Sequence, residues 1–168
     1  MKIIPQEIIQ NKIFLIRGKK VMFDRDLAAL YDVETKVLNQ AVKRNTDRFP
    51  DDFMFQLSGK EFKNWRSQIV TSKTDRKGLR YKPFVFTENG VAMISSVLNS
   101  PRAIHVNIQI MRTFTRLREM LADNAELRRK IEEIEKKYDY QFKAVFDAIK
   151  KIMAPPEKPK APIGFHVR

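Results

Sequence analysis

The spacing of apolar residues changes several times along this chain, and each change marks an element. Pro5 to Gln10 predicts a short helical turn. Two apolar runs, KIFLI and KVMF, then flank Arg17-Gly18-Lys19. This pattern predicts a hairpin, because glycine supplies the positive φ that a tight turn needs. From Asp24 the period becomes helical, with Leu27, Ala28, Leu30 and Tyr31 on one side, a corner at Asp32-Val33, and a second helix from Thr35 to about Arg44. Asp24 and Thr35 stand where N-caps are favoured. Phe49-Pro50 ends the segment, since the residue before proline is pushed away from helical angles.

Further on, FMFQLS alternates like a half-buried strand and KEFKNW suggests a short helix. RSQIVTS and RYKPFVF predict two strands joined by KTDRKG, a basic β-hairpin at 71–82 in which Pro83 argues for an edge position. Thr87 and Gly90 open a helix through VAMISSVL, and Ser100-Pro101 starts another with proline at its first position. Helical character then persists to about Met153, before a tail, residues 154–168, that holds half of the eight prolines and reads as flexible. The predicted class is α+β: a small mixed domain over residues 1–122 with a helix-turn-helix and a basic hairpin, a long coiled-coil helix at 123–153, and the tail.

Laid on a helix-turn-helix template, Leu27, Tyr31, Val33, Leu38 and Ala41 take the inward sites and Ala28 is the small residue where the helices touch. Asp32 replaces the usual glycine at the corner, where aspartate tolerates a left-handed backbone better than most residues. Lys36, Asn39, Gln40, Lys43 and Arg44 share the outer face of the second helix, and Thr35 begins it. Asn and Gln can make paired hydrogen bonds to adenine in the major groove, while Lys and Arg reach guanine or phosphate. A polar stripe of this kind also suits a helix that merely faces water.

Charge adds weight to the first reading. With 33 Lys+Arg against 20 Asp+Glu the formal charge is +13, which points to a polyanionic partner or an acidic membrane surface, two readings that composition alone does not separate. Residues 58–82 alone carry eight basic and two acidic side chains. Lys73, Arg76, Lys77 and Arg80 at the hairpin resemble a wing that grips phosphates, and Arg17 and Lys19 at the first turn are secondary candidates.

In the C-terminal third, Ile110, Thr113, Leu117, Met120, Asn124, Leu127, Ile131, Ile134, Tyr138, Gln141, Val145, Ala148 and Ile152 step by three and four, the seam of a coiled coil. Residues 102–121, with Ile104, Ile108, Met111 and Phe114, are read as packing on the domain itself. Asn124, Leu127, Ile131, Ile134, Tyr138 and Val145 are then the candidate dimerisation positions, with Asn124 as a buried register-setting amide and Asp123–Arg128 and Lys130–Glu135 as pairs between chains. The expected partners are double-stranded DNA and a second or further copy of the chain.

The chemistry of an enzyme is not visible. The chain has no cysteine, and its two histidines, His105 and His166, have no partner at ligand spacing. Neither catalytic nor metal-binding residues are assigned and no cofactor is expected; Asp51, Asp52 and Glu61 are examples of acids that folding could gather for a metal nuclease. No apolar run is long enough for a membrane span or a signal peptide, so a cytoplasmic protein without membrane attachment is expected.

Several of these blocks together resemble a known family. FDRDLAALYDVETKVLNQAVKRN, RFPDDFMFQLS and RYKPFVFTENGVAMISSVLNSPRAIHVNIQIMRTFTRLREML are similar to the KilA-N-type DNA-binding domains of phages and bacteria, in the version called the open reading frame six, N-terminal domain, over about residues 8–122. The resemblance implies a DNA-binding transcription regulator of phage, prophage or bacterial origin. It also leaves room for an antirepressor-like module that captures another regulatory protein and uses its basic domain as a nonspecific anchor.

Overall fold

Two buried runs and a two-residue turn begin the sheet. The computed structural model describes residues 3–69 and 81–137. Within them a short helix α1 (Gln6–Gln10) leads into β1 (Ile13–Ile16) and β2 (Lys19–Phe23), antiparallel with Ile16 opposite Lys19. Arg17 and Gly18 both have positive φ, 53° and 69°, the requirement of a type I′ turn. Then follow α2 (Asp24–Tyr31), α3 (Thr35–Arg44), a 3-10 turn (Thr46–Arg48), β3 (Met54–Gln56), α4 (Gly59–Ile69), β4 (Phe84–Thr87), α5 (Glu88–Leu98), α6 (Pro101–Ala122) and α7 (Ala125–Lys137). The class is α+β, with one antiparallel sheet of order β1-β2-β4-β3.

Both faces of the sheet are covered, which is why β1 and β2 read as unbroken apolar runs instead of alternating. Ile13, Leu15, Met22 and Phe86 face Leu27 and Leu30 of α2, Leu38 and Val42 of α3, Val91 and Ile94 of α5, and Ile110, Phe114 and Leu117 of α6. Phe14, Ile16, Val21, Phe23 and Val85 point the other way, where Trp65 and Phe62 of α4 close over them. The Phe23 and Trp65 rings lie 4.4 Å apart.

That second layer corrects the predicted hairpin. Residues 66–69 of RSQIVTS are the last turn of α4 and not a strand, because the Phe62–Trp65 spacing continues the helix across the sheet. β4 is central, with β2 on one side and β3 on the other, so neither edge is left for a hairpin partner at 84–87. Pro83 precedes the strand, where its missing N–H takes nothing from the ladder and its carbonyl accepts from the Leu57 N–H at 3.2 Å. The segment 70–80 lies outside the described residues.

Two helix starts form as their sequences predict. Thr87 caps α5 by accepting from the Gly90 N–H, and Ser100 caps α6 by accepting from the Ala103 N–H. The C-terminal helix is not continuous. It breaks at Asp123-Asn124, where the Arg128 guanidinium donates to the carbonyls of Leu121 and Ala122 at 3.4 and 3.3 Å, satisfying acceptors that a helix end leaves open. Ile110, Thr113 and Leu117 of the supposed seam are buried against the domain, as is Phe114, whereas Ile104 and Ile108 remain exposed. Asn124 sits in the break, its carbonyl accepting from the Arg128 N–H. Leu127, Ile131 and Ile134 belong to α7, and Tyr138 and Val145 lie outside the described residues. Lys130 pairs within the helix, 3.9 Å from Glu126.

Gly90 is where α5 meets the loop before β3. A Cβ there would lie 2.0 Å from the Phe53 carbonyl oxygen, a backbone atom that also accepts from the Thr87 N–H at 3.0 Å. Gly90→Ala is therefore expected to destabilise the fold by about 1–3 kcal/mol through overpacking, measured by urea unfolding. An unchanged midpoint would contradict this close approach.

Candidate nucleic-acid interface

The α2–α3 corner is built by backbone geometry. Asp32 adopts the left-handed conformation, φ 59° and ψ 46°. The Val33 N–H reaches back to the Ala28 carbonyl and the Asp32 N–H to that of Ala29, at 3.0 and 3.2 Å. These are the two bonds of a Schellman motif. Leu27, Ala28, Tyr31 and Leu38 are buried as the template requires, and Val33 and Ala41 half-buried. The Tyr31 hydroxyl donates to the Asn107 side-chain oxygen, and the Asn107 amide donates to the Val91 carbonyl at 2.7 Å, so the corner is tied to α6 and α5. Burial pushes the Tyr31 hydroxyl's pKa far above its ordinary value.

Neither expected side-chain cap forms at this corner. Glu34, not Thr35, is the N-cap of α3, and Phe23, not Asp24, is that of α2. Asp24 has another task. The residue is only 5% exposed, and its carboxylate accepts from the Arg25 N–H at 2.7 Å, the Asn39 amide at 3.0 Å and the Phe84 N–H at 3.4 Å. One buried charge thus joins the start of α2, the flank of α3 and the first residue of β4.

The outer face of α3 presents Lys36, Gln40, Lys43 and Arg44 to solvent, opposite buried Leu38 and Val42. Thr35 and Asn39 are half-buried at its margin, and the Asn39 amide is turned inward to Asp24. Sequence reasoning overlooked Val37, which is 47% exposed among these polar groups; an apolar side chain there suits contact with a thymine methyl. Its place on the exposed side of α3 follows from the helical period, but an apolar residue there carries no hydrogen-bonding signal in the sequence. Lys73, Arg76, Lys77 and Arg80 lie outside the described residues.

The ORF6N domain model matches residues 11–97, half of the chain. The chain belongs to the ORF6N domain family. No curated protein and no solved structure matches it. The matched span runs from the start of the hairpin almost to the end of α5, and so contains the corner, the exposed face of α3 and the Asp24 junction. No helix among the described residues is long and apolar enough to cross a membrane.

Two cations of the ORF6N domain that the sequence leaves unassigned, or offers to a partner, have partners inside it. Arg17, a secondary candidate for a DNA contact, is held by Glu61 through two hydrogen bonds of 2.6 and 2.9 Å and lies 4.4 Å above the Phe55 ring. Lys12 pairs with Asp26 at 3.3 Å; burial raises the Asp26 pKa, and Lys12 and Arg25 draw it back. Lys19 is exposed. Among the described residues no three potential ligands converge on a metal position, and Glu61 is turned to Arg17, away from any arrangement with Asp51 and Asp52.

The Arg17 hydrogen bonds hold the Glu61 carboxyl at about 2, below its ordinary 4.5, with further help from Ser58. A carboxylate whose pKa is lower in the folded state stabilises the fold above the unfolded value and loses that effect as pH falls toward the folded one. The stability advantage of the native protein over Glu61→Gln is therefore expected to be full above about pH 5 and to vanish toward about pH 2. Paired urea titrations across that range measure it, and a pH-independent difference would show that the charge pair contributes nothing. The advantage should be modest, because the pair is near solvent.

Proposed function

We propose that this ORF6N domain is a sequence-specific binder of double-stranded DNA, a KilA-N-type transcription regulator of phage, prophage or bacterial origin that lays α3 in the major groove. The observation that carries the reading is the exposed Lys36-Gln40-Lys43-Arg44 face, projecting on a helix whose other side is locked into the core. In this reading Gln40 and Arg44 address base edges, Val37 meets a thymine methyl, and Lys36 and Lys43 meet phosphates. Asn39, whose amide already donates to Asp24, sets the position of the helix. Selection of bound duplexes from a random pool at physiological salt tests this. A preferred sequence bound about 10³-fold or more over random DNA is expected, with the preference relaxed by Gln40→Ala and the overall affinity lowered by Asn39→Ala. If about six side chains contact phosphates, log affinity should fall against log salt with a slope of about −5.

The exposed Ile104 and Ile108, one turn apart on α6, favour a second reading in which the chain captures another regulator, as an antirepressor does. Salt-sensitive binding without any sequence preference would support that reading over the first.

A homodimer, or a higher homo-oligomer, formed through the segment beyond α6 would give the reader two copies of α3, suited to half-sites about 34–36 Å apart. Light scattering at micromolar concentration should return at least twice the chain's 19.8 kDa, and removal of residues 124–168 should reduce the mass to one chain and weaken DNA binding. A single-chain mass for the full-length protein would overturn the proposal.

A further inference from the structure

We infer that the outer face of α4, together with Arg25 and Lys82, is a second contact surface for the phosphate backbone, flanking the duplex that α3 reads. The inference rests on the DNA-binding reading above and names a surface which that reading does not include. Lys60, Lys63 and Arg66 lie exposed on one side of α4, and among the described residues none of them has an acidic partner. The acid of this helix, Glu61, projects elsewhere and is occupied by Arg17. α4 therefore presents an uncompensated positive side, and Lys82 extends it at the helix start, where its side chain passes 3.8 Å from the Cβ position of Gly59.

Two guanidinium groups of this surface rest on aromatic rings. Arg66 lies 5.5 Å from the centre of the Phe62 ring and Arg25 lies 5.0 Å from that of Trp65, while the two rings are stacked 6.1 Å apart. An arginine on an aromatic face is held in place without losing its in-plane donors, so less freedom is lost when it meets a phosphate. Arg25 also approaches Asp26 at 4.0 Å, but Asp26 has the closer cation in Lys12.

The link to α3 is short and runs through the Asp24 carboxylate. Asp24, which accepts from Asn39 of α3, is the residue before Arg25, and it also receives the Phe84 N–H, two residues after Lys82. Arg25, Lys82 and the start of α4 are thereby held at the same end of the sheet as the Asn39 flank of α3. Because α4 covers the face of the sheet opposite the core that includes α3, the duplex would reach the outer side of α4 around this shared end, past Arg25 and Lys82.

The test uses the full-length protein, a duplex recovered from the random pool and a random duplex of equal length, with affinity measured over a range of salt. Lys60→Gln, Lys63→Gln and Arg66→Gln combined should weaken both duplexes by the same factor and make the salt slope shallower by about 2–3, near 0.9 for each phosphate that is no longer neutralised. Lys60→Arg, Lys63→Arg and Arg66→Lys combined should keep the native slope. If the neutral triple variant does not fold, Lys63→Gln alone should lower the slope by about 0.9. A native slope in the neutral variant, with Gln40→Ala still relaxing sequence preference, would overturn this inference and leave the α3 reading standing. Binding indifferent to both sets of changes would overturn both.

Discussion

A buried carboxylate organises the candidate face of this protein. Asp24 is withdrawn from water and accepts three N–H groups, one from its own helix, one from α3 and one from β4. Hydrogen bonds to a charged group contribute about 1.5–3 kcal/mol each, and a buried charge left without them is strongly destabilising. The position at the start of α2 adds the favourable end of the helix dipole. Helix α3 cannot slide without breaking the Asn39 bond, so the direction in which Lys36, Gln40 and Lys43 project is set by a group that does not itself lie on their exposed face.

The sheet beneath is apolar on both sides, and this gives the domain two separate cores with different uses. One unites the helix-turn-helix with α5 and α6, where the Tyr31–Asn107 contact satisfies polar atoms that the interior would otherwise leave unmet. The other is an aromatic layer of Phe14, Phe23, Phe62 and Trp65 under α4. Arginines spread over the rims of this second layer. Arg17 is locked by Glu61 and so is structural, whereas Arg66 on the same helix as Glu61 is exposed and has no acidic partner among the described residues. Equal residue types at comparable exposure thus differ in role because of which acid lies within reach.

The C-terminal helices show how a repeat of three and four can serve two masters. In α6 the repeat is consumed by the domain, with Ile110, Thr113 and Leu117 inside. The break at Asp123-Asn124, closed by Arg128 on the last carbonyls, separates this packing from α7. Asn124, at what would be a seam position, occupies the junction instead, and the heptad pattern does not announce that interruption because its steps of three and four continue across it and a single buried Asn is compatible with a coiled-coil seam.

What sequence by itself determined here was local. The turn at Arg17-Gly18, the left-handed corner at Asp32, the caps Thr87 and Ser100, and the polar outer face of α3 all depend on groups within a few residues of one another, whose backbone geometry and helical period are written directly in residue order. Tertiary structure decided the rest: that Asn39 turns inward, that Arg17 is bound, that 66–69 is helix and that β4 lies in the middle of the sheet. Asp24 finds Phe84 across 60 residues and Arg17 finds Glu61 across 44. Contacts at such separations follow no period along the chain; they exist only once two apolar faces of one sheet have been covered and the polar groups at their edges must find each other.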